Sequence, residues 1–270
     1  MTISNKCFIV GCVRNCGEYL DNVFNNIIKI TKLFDEYKII IAYDTSNDNS
    51  LDILLEKQKN IDNFILLINE NPLSCNRVIN ITNARNLILN KIKELYNESW
   101  NYYINLDCDN VCSENIDINI LNKYLVRDDW DSLSFNKYNS YYDIWALSYD
   151  PYIYSCWHWI NNNHITYNII KPDIENKLKE LNEDELFPCF SSFNGFAIYR
   201  LEKFINCTYN YSLSENIQYM PKDILENNKK IFNYNISYHD DIDCEHRKFH
   251  LEAINKNNAR IRISPLSLFI

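Results

Sequence analysis

Two aspartates stand one residue apart, directly after a short aromatic and β-branched segment. The segment is Tyr102–Leu106, and the aspartates, here called the acidic pair, are Asp107 and Asp109. Side chains at i and i+2 of an extended chain point to the same side, so both carboxylates can face one ligand. Paired carboxylates repel unless a cation or hydroxyl groups compensate them, and hard oxygen ligands suit Mn²⁺ or Mg²⁺ bound to phosphate oxygens. The acidic pair therefore indicates a divalent-metal site, and a solvated acidic turn is the alternative interpretation.

The composition fits one large domain and argues against several classes of protein. The 270 residues carry a net charge of −9. They show no basic stripe, so we expect no nucleic-acid partner. No apolar run is long enough for a membrane span. The ten cysteines form no Cys-x-x-Cys pair, which is typical of reduced thiols in a cytoplasmic protein. With only 3 Gly, neither a glycine-rich dinucleotide loop nor a P-loop is expected.

Strands and helices alternate along the first 110 residues. Buried strands are predicted at 7–13, 37–43, 64–68 and 102–106, and helices at about 18–33, 51–57 and 81–92. This alternation predicts an α/β fold with a mostly parallel sheet that helices cover on both faces. We expect one domain over 1–270. In open α/β sheets, ligands bind at the carboxyl ends of the strands.

Several chemically useful side chains fall at those predicted strand ends. Val13 and Arg14 end the first strand, Asp44 ends the second, and the acidic pair ends the fourth. Asp44 could bind ribose hydroxyls or a base edge, although a helix-capping loop residue is an equally good interpretation. Arg85, in the third helix, could offer a guanidinium fork to a diphosphate, with a surface ion pair as its alternative. We expect a nucleotide with its base near Val13 and Asp44.

The second half of the chain has a less regular pattern. Strands are predicted at 130–135 and 141–147, a charged helix at 173–182, and another strand after Gly195. A glycine before a strand suggests that its backbone closely approaches another group. The segment 152–159 is dense in aromatic residues, which usually form core but also suit sugar rings.

A late segment, 239–250, combines histidines with acidic residues. If it is helical, His246 and His250 share one face. The metalloprotease helix motif is incomplete, because no Glu follows the first His. Two interpretations stay open: at least one His contacts a metal or substrate, or the segment is a capped surface helix with one buried His.

Five short blocks, in this order, resemble the nucleotide-sugar glycosyltransferases of the GT-A fold. They are ITNARN at 81–86, NLDCD at 105–109, YDIWA at 142–146, SFNGF at 192–196 and DCEH at 243–246. More narrowly, they resemble the cryptococcal capsule α-1,3-mannosyltransferase family and its bacterial and giant-virus relatives. The resemblance implies a Rossmann-like sheet, a nucleotide-sugar-binding half (1–110) and an irregular acceptor-side half (111–270). If the protein is viral, we expect it in the host cytoplasm or in the virion.

The resemblance implies a metal-dependent hexosyltransferase that retains anomeric configuration. Its donor would be a nucleoside-diphosphate sugar, its acceptor a hydroxyl of a glycan or glycoprotein, and its cofactor Mn²⁺ or Mg²⁺. Asp107 would bridge the ribose and the metal, Asp109 would bind the metal, and His246 would complete the metal shell from a segment folded over the acidic pair.

The remaining site predictions concern the acceptor side. Asp143 and Glu245 are candidates for acceptor binding or for the catalytic base, and the sequence does not rank them. Trp145, Asn194 and Gly195 are predicted substrate contacts. Two other functions stay open: a metal-dependent nucleotidyltransferase or pyrophosphatase, and a sugar-nucleotide-binding module with a degenerate site.

Overall fold

The structure is a computed structural model that describes residues 5–70, 73–137, 140–153, 165–232 and 241–270. The chain divides into two compact units. The first comprises Met1–Arg127, Gly195–Ile205 and Leu268–Ile270, and the second comprises Asp128–Asn194 and Asn206–Ser267. Most of the aromatic segment predicted at 152–159, from residue 154 onward, lies outside the described residues, as do His239 and Asp240.

The elements alternate as predicted through the first 110 residues. They are β1 (Lys6–Val13), α1 (Gly17–Thr31), β2 (Glu36–Tyr43), α2 (Ser50–Asn60), β3 (Phe64–Ile68), α3 (Arg77–Leu95) and β4 (Tyr102–Asp107). A 3₁₀ turn at Asn110–Cys112 and helix α4 (Ile118–Leu125) follow.

The rest of the chain carries shorter strands and further helices. They are β5 (Ser132–Asn136), α5 (Lys171–Glu180), β6 (Phe187–Cys189), β7 (Phe196–Arg200), α6 (Leu201–Phe204), α7 (Leu213–Asn216), α8 (Lys222–Phe232), α9 (Glu245–Asn257) and β8 (Ile261–Ser267). None of the helices in the described ranges combines the length and apolar character needed to cross a bilayer.

The first unit contains five strands in the order β3-β2-β1-β4-β7. The first four are parallel to one another and β7 is antiparallel to β4. In the second unit β5 runs parallel to β8, and β6 runs antiparallel to it. The predicted α/β fold with a mostly parallel sheet is therefore confirmed. The register places Cys12 beside Asp107 and Val13 beside Tyr43, so the carboxyl ends of β1, β2 and β4 lie together.

Helices of the first unit cover both faces of its strands. Because parallel crossovers are right-handed, α1 and α2 lie on one face and α3, which returns across β1 and β2, lies on the other. Helix α1 buries Leu20, Phe24 and Ile27 as predicted, whereas Ile28 is exposed. Helix α3 begins four residues before its predicted start, because the Asn76 side chain caps it by accepting from the Val78 N–H.

The strand predicted at 141–147 is wrong. This segment forms turns, because side chains take up its backbone donors. The Asn194 Oδ1 accepts from the N–H groups of Tyr142 and Asp143, and the Asp143 Oδ1 accepts from Ala146 N–H. Donors satisfied in this way are not available to a strand ladder.

Gly11 allows β1 and the end of β4 to pack closely. A Cβ at this position would stand 2.3 Å from the Cys108 Sγ and 3.0 Å from the Leu106 carbonyl oxygen. Both separations are shorter than ordinary van der Waals contact, so a side chain here must displace its neighbours.

We expect Gly11→Ala to lower the free energy of unfolding by about 1–3 kcal/mol through overpacking. In a Cys108→Ala background the penalty should shrink, because the closest clashing atom is gone. Thermal melts of the two single variants and the double variant measure this coupling. An equal Gly11→Ala penalty in both backgrounds would contradict the packing account.

Candidate functional site

A cavity of about 400 Å³ opens at the carboxyl ends of β1, β2 and β4, beside the start of α3. Its volume is within the range of small-molecule sites. Five of the residues predicted from the sequence to bind nucleotide or metal line it: Val13, Arg14, Asp44, Asp107 and Asp109. All of these residues belong to the first unit.

Asp107 ends β4 and is held from two sides. Its N–H donates to the Gly195 carbonyl oxygen at 2.8 Å, and its Oδ1 lies 3.4 Å from Nη2 of Arg85. The Asp107 side chain is 23% exposed, whereas that of Arg85 is only 4% exposed. Arg85 is not among the residues that line the cavity, and its ion pair with Asp107 is partly buried. Its predicted contact with a diphosphate stays a prediction.

Gly195 brings β7 close to the acidic pair. Its φ is +86°, and a Cβ there would lie 2.4 Å from Val111 Cγ1 and 3.7 Å from Asp107 Oδ2. The close backbone approach predicted from the sequence is thus to the end of β4. Whether Gly195 also contacts a substrate stays a prediction.

Asp109 has an extended backbone and caps the 3₁₀ turn that follows it. Its Oδ1 accepts from the Val111 N–H at 3.0 Å. In the described part of the chain its second oxygen accepts no hydrogen bond. One edge of this carboxylate is therefore used to shape the turn, and the other is available to the cavity that it lines.

Asp44 is a buried carboxylate at the end of β2, only 5% exposed. The Asn69 Nδ2 donates to its Oδ1 at 2.7 Å. No described residue donates to Oδ2. The helix-capping alternative does not hold, because the residue at the N-cap of α2 is Asn49. Asp44 instead presents a fixed acceptor oxygen, which suits a ligand N–H or hydroxyl.

The loops after β1 and β2 are tied to each other. Asn15, in the left-handed region at φ 54°, accepts from the Asn47 N–H at 2.7 Å and donates its own N–H to Ser46 Oγ at 3.0 Å. The Gly17 N–H donates to Asp48 at 2.8 Å. Burial alone would raise the pKa of Asp48, but hydrogen bonds from Ser50 and from Gly17 N–H outweigh it and lower that pKa. These bonds fix the chain that follows Arg14.

Two guanidinium groups line the cavity, and only one of them was expected. Arg77, in the first turn of α3, joins Arg14 there. Neither side chain has an ion-pair partner among the residues that the structure describes. The sequence signal for Arg77 is Asn76, because an N-cap at that position places Arg77 at the start of a helix. The backbone at a helix N-terminus also favours anions. The cavity therefore combines acceptor carboxylates with uncompensated cations.

Thiols complete part of the cavity wall. Burial raises the pKa of Cys16 to about 11, against a weaker lowering by a hydrogen bond with the backbone of Arg14. Burial likewise raises the pKa of Cys108 well above its usual value. Both thiols are therefore neutral near pH 7, and neutral thiols are poor metal ligands.

In the described ranges, no three His, Cys, Asp or Glu side chains are grouped to hold a metal ion.

Apart from Gly195, the acceptor-side predictions fall in the second unit. Asp143 and Trp145 are half-buried and lie in the loop 140–153. Asn194 is 6% exposed, with its Oδ1 accepting from two loop N–H groups and its Nδ2 donating to the Phe135 carbonyl oxygen. Because both ends of its amide are used internally, Asn194 organises this loop. Its predicted contact with substrate stays a prediction.

The late segment forms helix α9, as one interpretation required, but the helix is not on the surface. Its residues from Glu245 to Ala253 are buried. The His246 ring stacks on Phe193 with centroids 4.0 Å apart, and His250 Nδ1 lies 2.9 Å from Ser191 Oγ. The Glu245 Oε1 is 3.8 Å from His246 Nε2. The expectation of a capped surface helix with one buried His is therefore wrong, since both are buried.

Of the comparisons with known proteins, only the one with solved structures found similar chains. No protein-family pattern and no curated protein matches the chain. S. aureus TarS 1–349 in complex with UDP-GlcNAc is 13% identical with a TM-score of 0.48, over 98% of this chain and 57% of that one. This chain thus spans less than two thirds of its length.

Two further solved structures show similar likeness. The mannosyltransferase PcManGT from Pyrobaculum calidifontis, solved with GDP-Man and Mn²⁺, is 11% identical, with a TM-score of 0.40, over 76% of this chain and 47% of that one. Glucosyl-3-phosphoglycerate synthase from Mycobacterium tuberculosis, solved with Mn²⁺ and UDP, is 10% identical, with a TM-score of 0.41, over 74% and 57%. All of these TM-scores are below 0.5, so the function is inferred from the residues of the cavity.

The raised pKa of Cys16 predicts slow, pH-dependent alkylation. At pH 8 a thiol of pKa about 11 is ionised in about one molecule per thousand, and the thiolate is the reactive form. Iodoacetamide labelling followed by peptide mass spectrometry should show the Cys16 rate rising about tenfold per pH unit between pH 7 and 9. The exposed Cys75 is the internal control and should react faster. A Cys16 rate independent of pH would contradict the assignment.

Proposed function

We propose that this protein is a GT-A-type, metal-dependent glycosyltransferase that moves a hexose from a nucleoside-diphosphate sugar to a hydroxyl acceptor on a glycan or glycoprotein. The observation that carries the proposal is the cavity itself. The acidic pair, the buried acceptor Asp44 and the guanidinium groups of Arg14 and Arg77 share it at the carboxyl ends of parallel strands. Open α/β sheets bind ligands at that edge.

The charges of the cavity suit a nucleoside diphosphate with a divalent ion. Arg14 and Arg77 would bind diphosphate oxygens, which guanidinium groups recognise in a bidentate manner. The ligand chemistry of the acidic pair fits Mn²⁺ or Mg²⁺, because Asp109 has an available oxygen and Asp107 is partly exposed beside it. Phosphate oxygens and water would supply further ligands. When bound, the ion would neutralise charge on the departing diphosphate.

The nucleoside would occupy the side of the cavity formed by β1 and β2. Asp44 would accept a hydrogen bond from a base N–H or a ribose hydroxyl, with Asn69 holding its other oxygen. Val13 lies beside it, since the Asp44 N–H donates to the Val13 carbonyl oxygen at 2.9 Å. Asp107 would bind the ribose and the metal. Arg85 would act through Asp107 by holding the orientation of that carboxylate.

The acceptor side of the proposal rests on residues of the second unit and on Gly195 of the first. Asp143 and Glu245 are the candidates for acceptor binding or for the base, Trp145 and Gly195 are proposed substrate contacts, and His246 is proposed as a further metal ligand. The narrower likeness to the cryptococcal capsule mannosyltransferases, retention of configuration and a cytoplasmic or viral setting belong to the same proposal. They are supported by the five sequence blocks alone.

The test is a panel of UDP- and GDP-sugars incubated with the protein, with and without Mn²⁺. We expect metal-dependent release of nucleoside diphosphate. Release of monophosphate and pyrophosphate would instead indicate the nucleotidyltransferase or pyrophosphatase class. Binding without release of any product would indicate a degenerate binding module.

Asp109→Asn should weaken donor binding at ordinary Mn²⁺ concentrations by at least about tenfold, because an amide is a poor ligand for a hard cation. Its thermal melt should not change, since Asn can still cap the 3₁₀ turn through Oδ1. The control is Asp117→Asn, which makes the same change at the N-cap of α4, away from the cavity. Calorimetry that gives Asp109→Asn wild-type donor affinity would contradict the metal assignment.

A further inference from the structure

Side chains from other segments, among them Asn194 and Arg247, hold the loop 140–153 of the second unit in place. The Asn194 Oδ1 accepts from the Tyr142 N–H at 2.9 Å and the Asp143 N–H at 2.8 Å. The Asp143 Oδ1 then accepts from the Ala146 N–H at 3.0 Å. The first half of the loop is therefore shaped by side-chain acceptors, and it does not pair with a strand.

Arg247 of helix α9 holds the second half of the loop. Its Nη2 donates to the Trp145 carbonyl oxygen at 2.7 Å. Its Nη1 donates to the Ile153 carbonyl oxygen at 3.1 Å and contacts that of Leu147 at 3.4 Å. The side chain is fully buried. One rigid guanidinium fork thus fixes three carbonyl groups spread over nine residues of the loop.

Asp243 balances the charge of Arg247, and this pairing does not involve the loop. Its Nε donates to Asp243 Oδ1 at 2.9 Å, and both side chains are fully buried. Asp243 also accepts from the Cys244 N–H at 2.7 Å and from Asn216 Nδ2 at 3.0 Å. A buried charge needs such a paired and hydrogen-bonded environment. The three carbonyl contacts are additional to it, so the guanidinium has a second task, which is to set the loop conformation.

The fixed loop leaves a carboxylate and aromatic side chains at least partly exposed. Tyr142 is 48% exposed, and Asp143 and Trp145 are half-buried, whereas Ile144 and Ala146 are buried. An aromatic face beside a carboxylate suits a sugar ring, which offers C–H groups to the ring and hydroxyl donors to the carboxylate. The side chains that the loop presents are therefore those expected of an acceptor-binding element.

We propose that Arg247 is the positioning residue of the acceptor side: by holding the loop 140–153, it orients Asp143 and Trp145 toward a sugar-hydroxyl acceptor. This inference rests on the proposed glycosyltransferase function. Arg247 itself does not contact substrate in this account. Its effect is transmitted through the carbonyl groups of Trp145, Leu147 and Ile153.

The test compares Arg247→Lys with Arg260→Lys. A lysine at 247 keeps the positive charge beside Asp243 but lacks the fork that reaches three carbonyl groups. Arg260 is also paired with a carboxylate in the second unit, with its Nε 2.9 Å from Asp131 Oδ2, but it contributes nothing to the loop. Three quantities are measured for each protein: the melting temperature, donor release to water without acceptor, and release with a panel of methyl glycosides as acceptor probes.

For Arg247→Lys we expect the acceptor-dependent rate to fall roughly tenfold or more, with a raised KM for the methyl glycoside, because small displacements of positioning groups are costly. Its acceptor-free release and donor affinity should match those of Arg260→Lys. Equal acceptor use by the two variants would overturn the inference. So would a parallel loss of both rates, which indicates a purely structural role, or a wild-type protein that releases diphosphate but is not stimulated by any glycoside. A wild-type protein that releases no diphosphate would instead refute the proposed function.

Discussion

The first unit holds three carboxylates at the carboxyl ends of its parallel strands, and the need to position these like charges is the constraint on which its site depends. Asp44, Asp107 and Asp109 line the same cavity. Like charges in one cavity are favoured when other groups compensate them. Internal groups hold each carboxylate: Asn69 donates to Asp44, Arg85 lies beside Asp107, and the Val111 N–H donates to Asp109. In the proposed function, a cationic or hydrogen-bond-donating ligand would add further compensation.

The parallel strands are what bring those carboxylates together. Parallel pairing in register puts the ends of β1, β2 and β4 side by side, and only small or absent side chains allow that closeness. Gly11 accommodates Cys108, and Gly195 accommodates Val111. The chain contains 3 Gly, and these two lie against the ends of the strands that form the cavity. Glycine is therefore used here for close packing around the site and not for a phosphate-binding loop.

The sequence was sufficient for the elements with regular apolar periodicity. Strands β1 to β4 and helix α1 follow from it, and so does the grouping of Val13, Asp44 and Asp107. Prediction from the sequence failed where side chains, and not a neighbouring strand, accept the hydrogen bonds of the backbone N–H groups. The segment 141–147 has the composition of a strand, but Asn194 and Asp143 take its N–H groups. Local composition cannot reveal an acceptor that lies 51 residues away in sequence.

The interpretation of the late segment as a surface helix was wrong for a related reason. Its charged residues predict a surface helix, because charges are seldom buried unless they are paired. Here Arg247 is paired with Asp243 and Lys248 with Glu252, so the helix is buried despite its charges. Arg77 was missed because its position depends on the cap at Asn76. The burial of helix α9 depends on ion pairs and the position of Arg77 depends on a helix cap. Neither feature is visible in the pattern of apolar residues.

The central claim is that the acidic pair binds a divalent ion together with a nucleoside diphosphate. The most direct measurement is a crystal structure with Mn²⁺ and UDP or GDP, with anomalous diffraction recorded at the manganese edge. The account predicts one anomalous peak in coordination distance of Asp109 and of a phosphate oxygen, with the base beside Val13 and Asp44. A nucleotide bound away from this cavity, or manganese without contact to either aspartate, would contradict it.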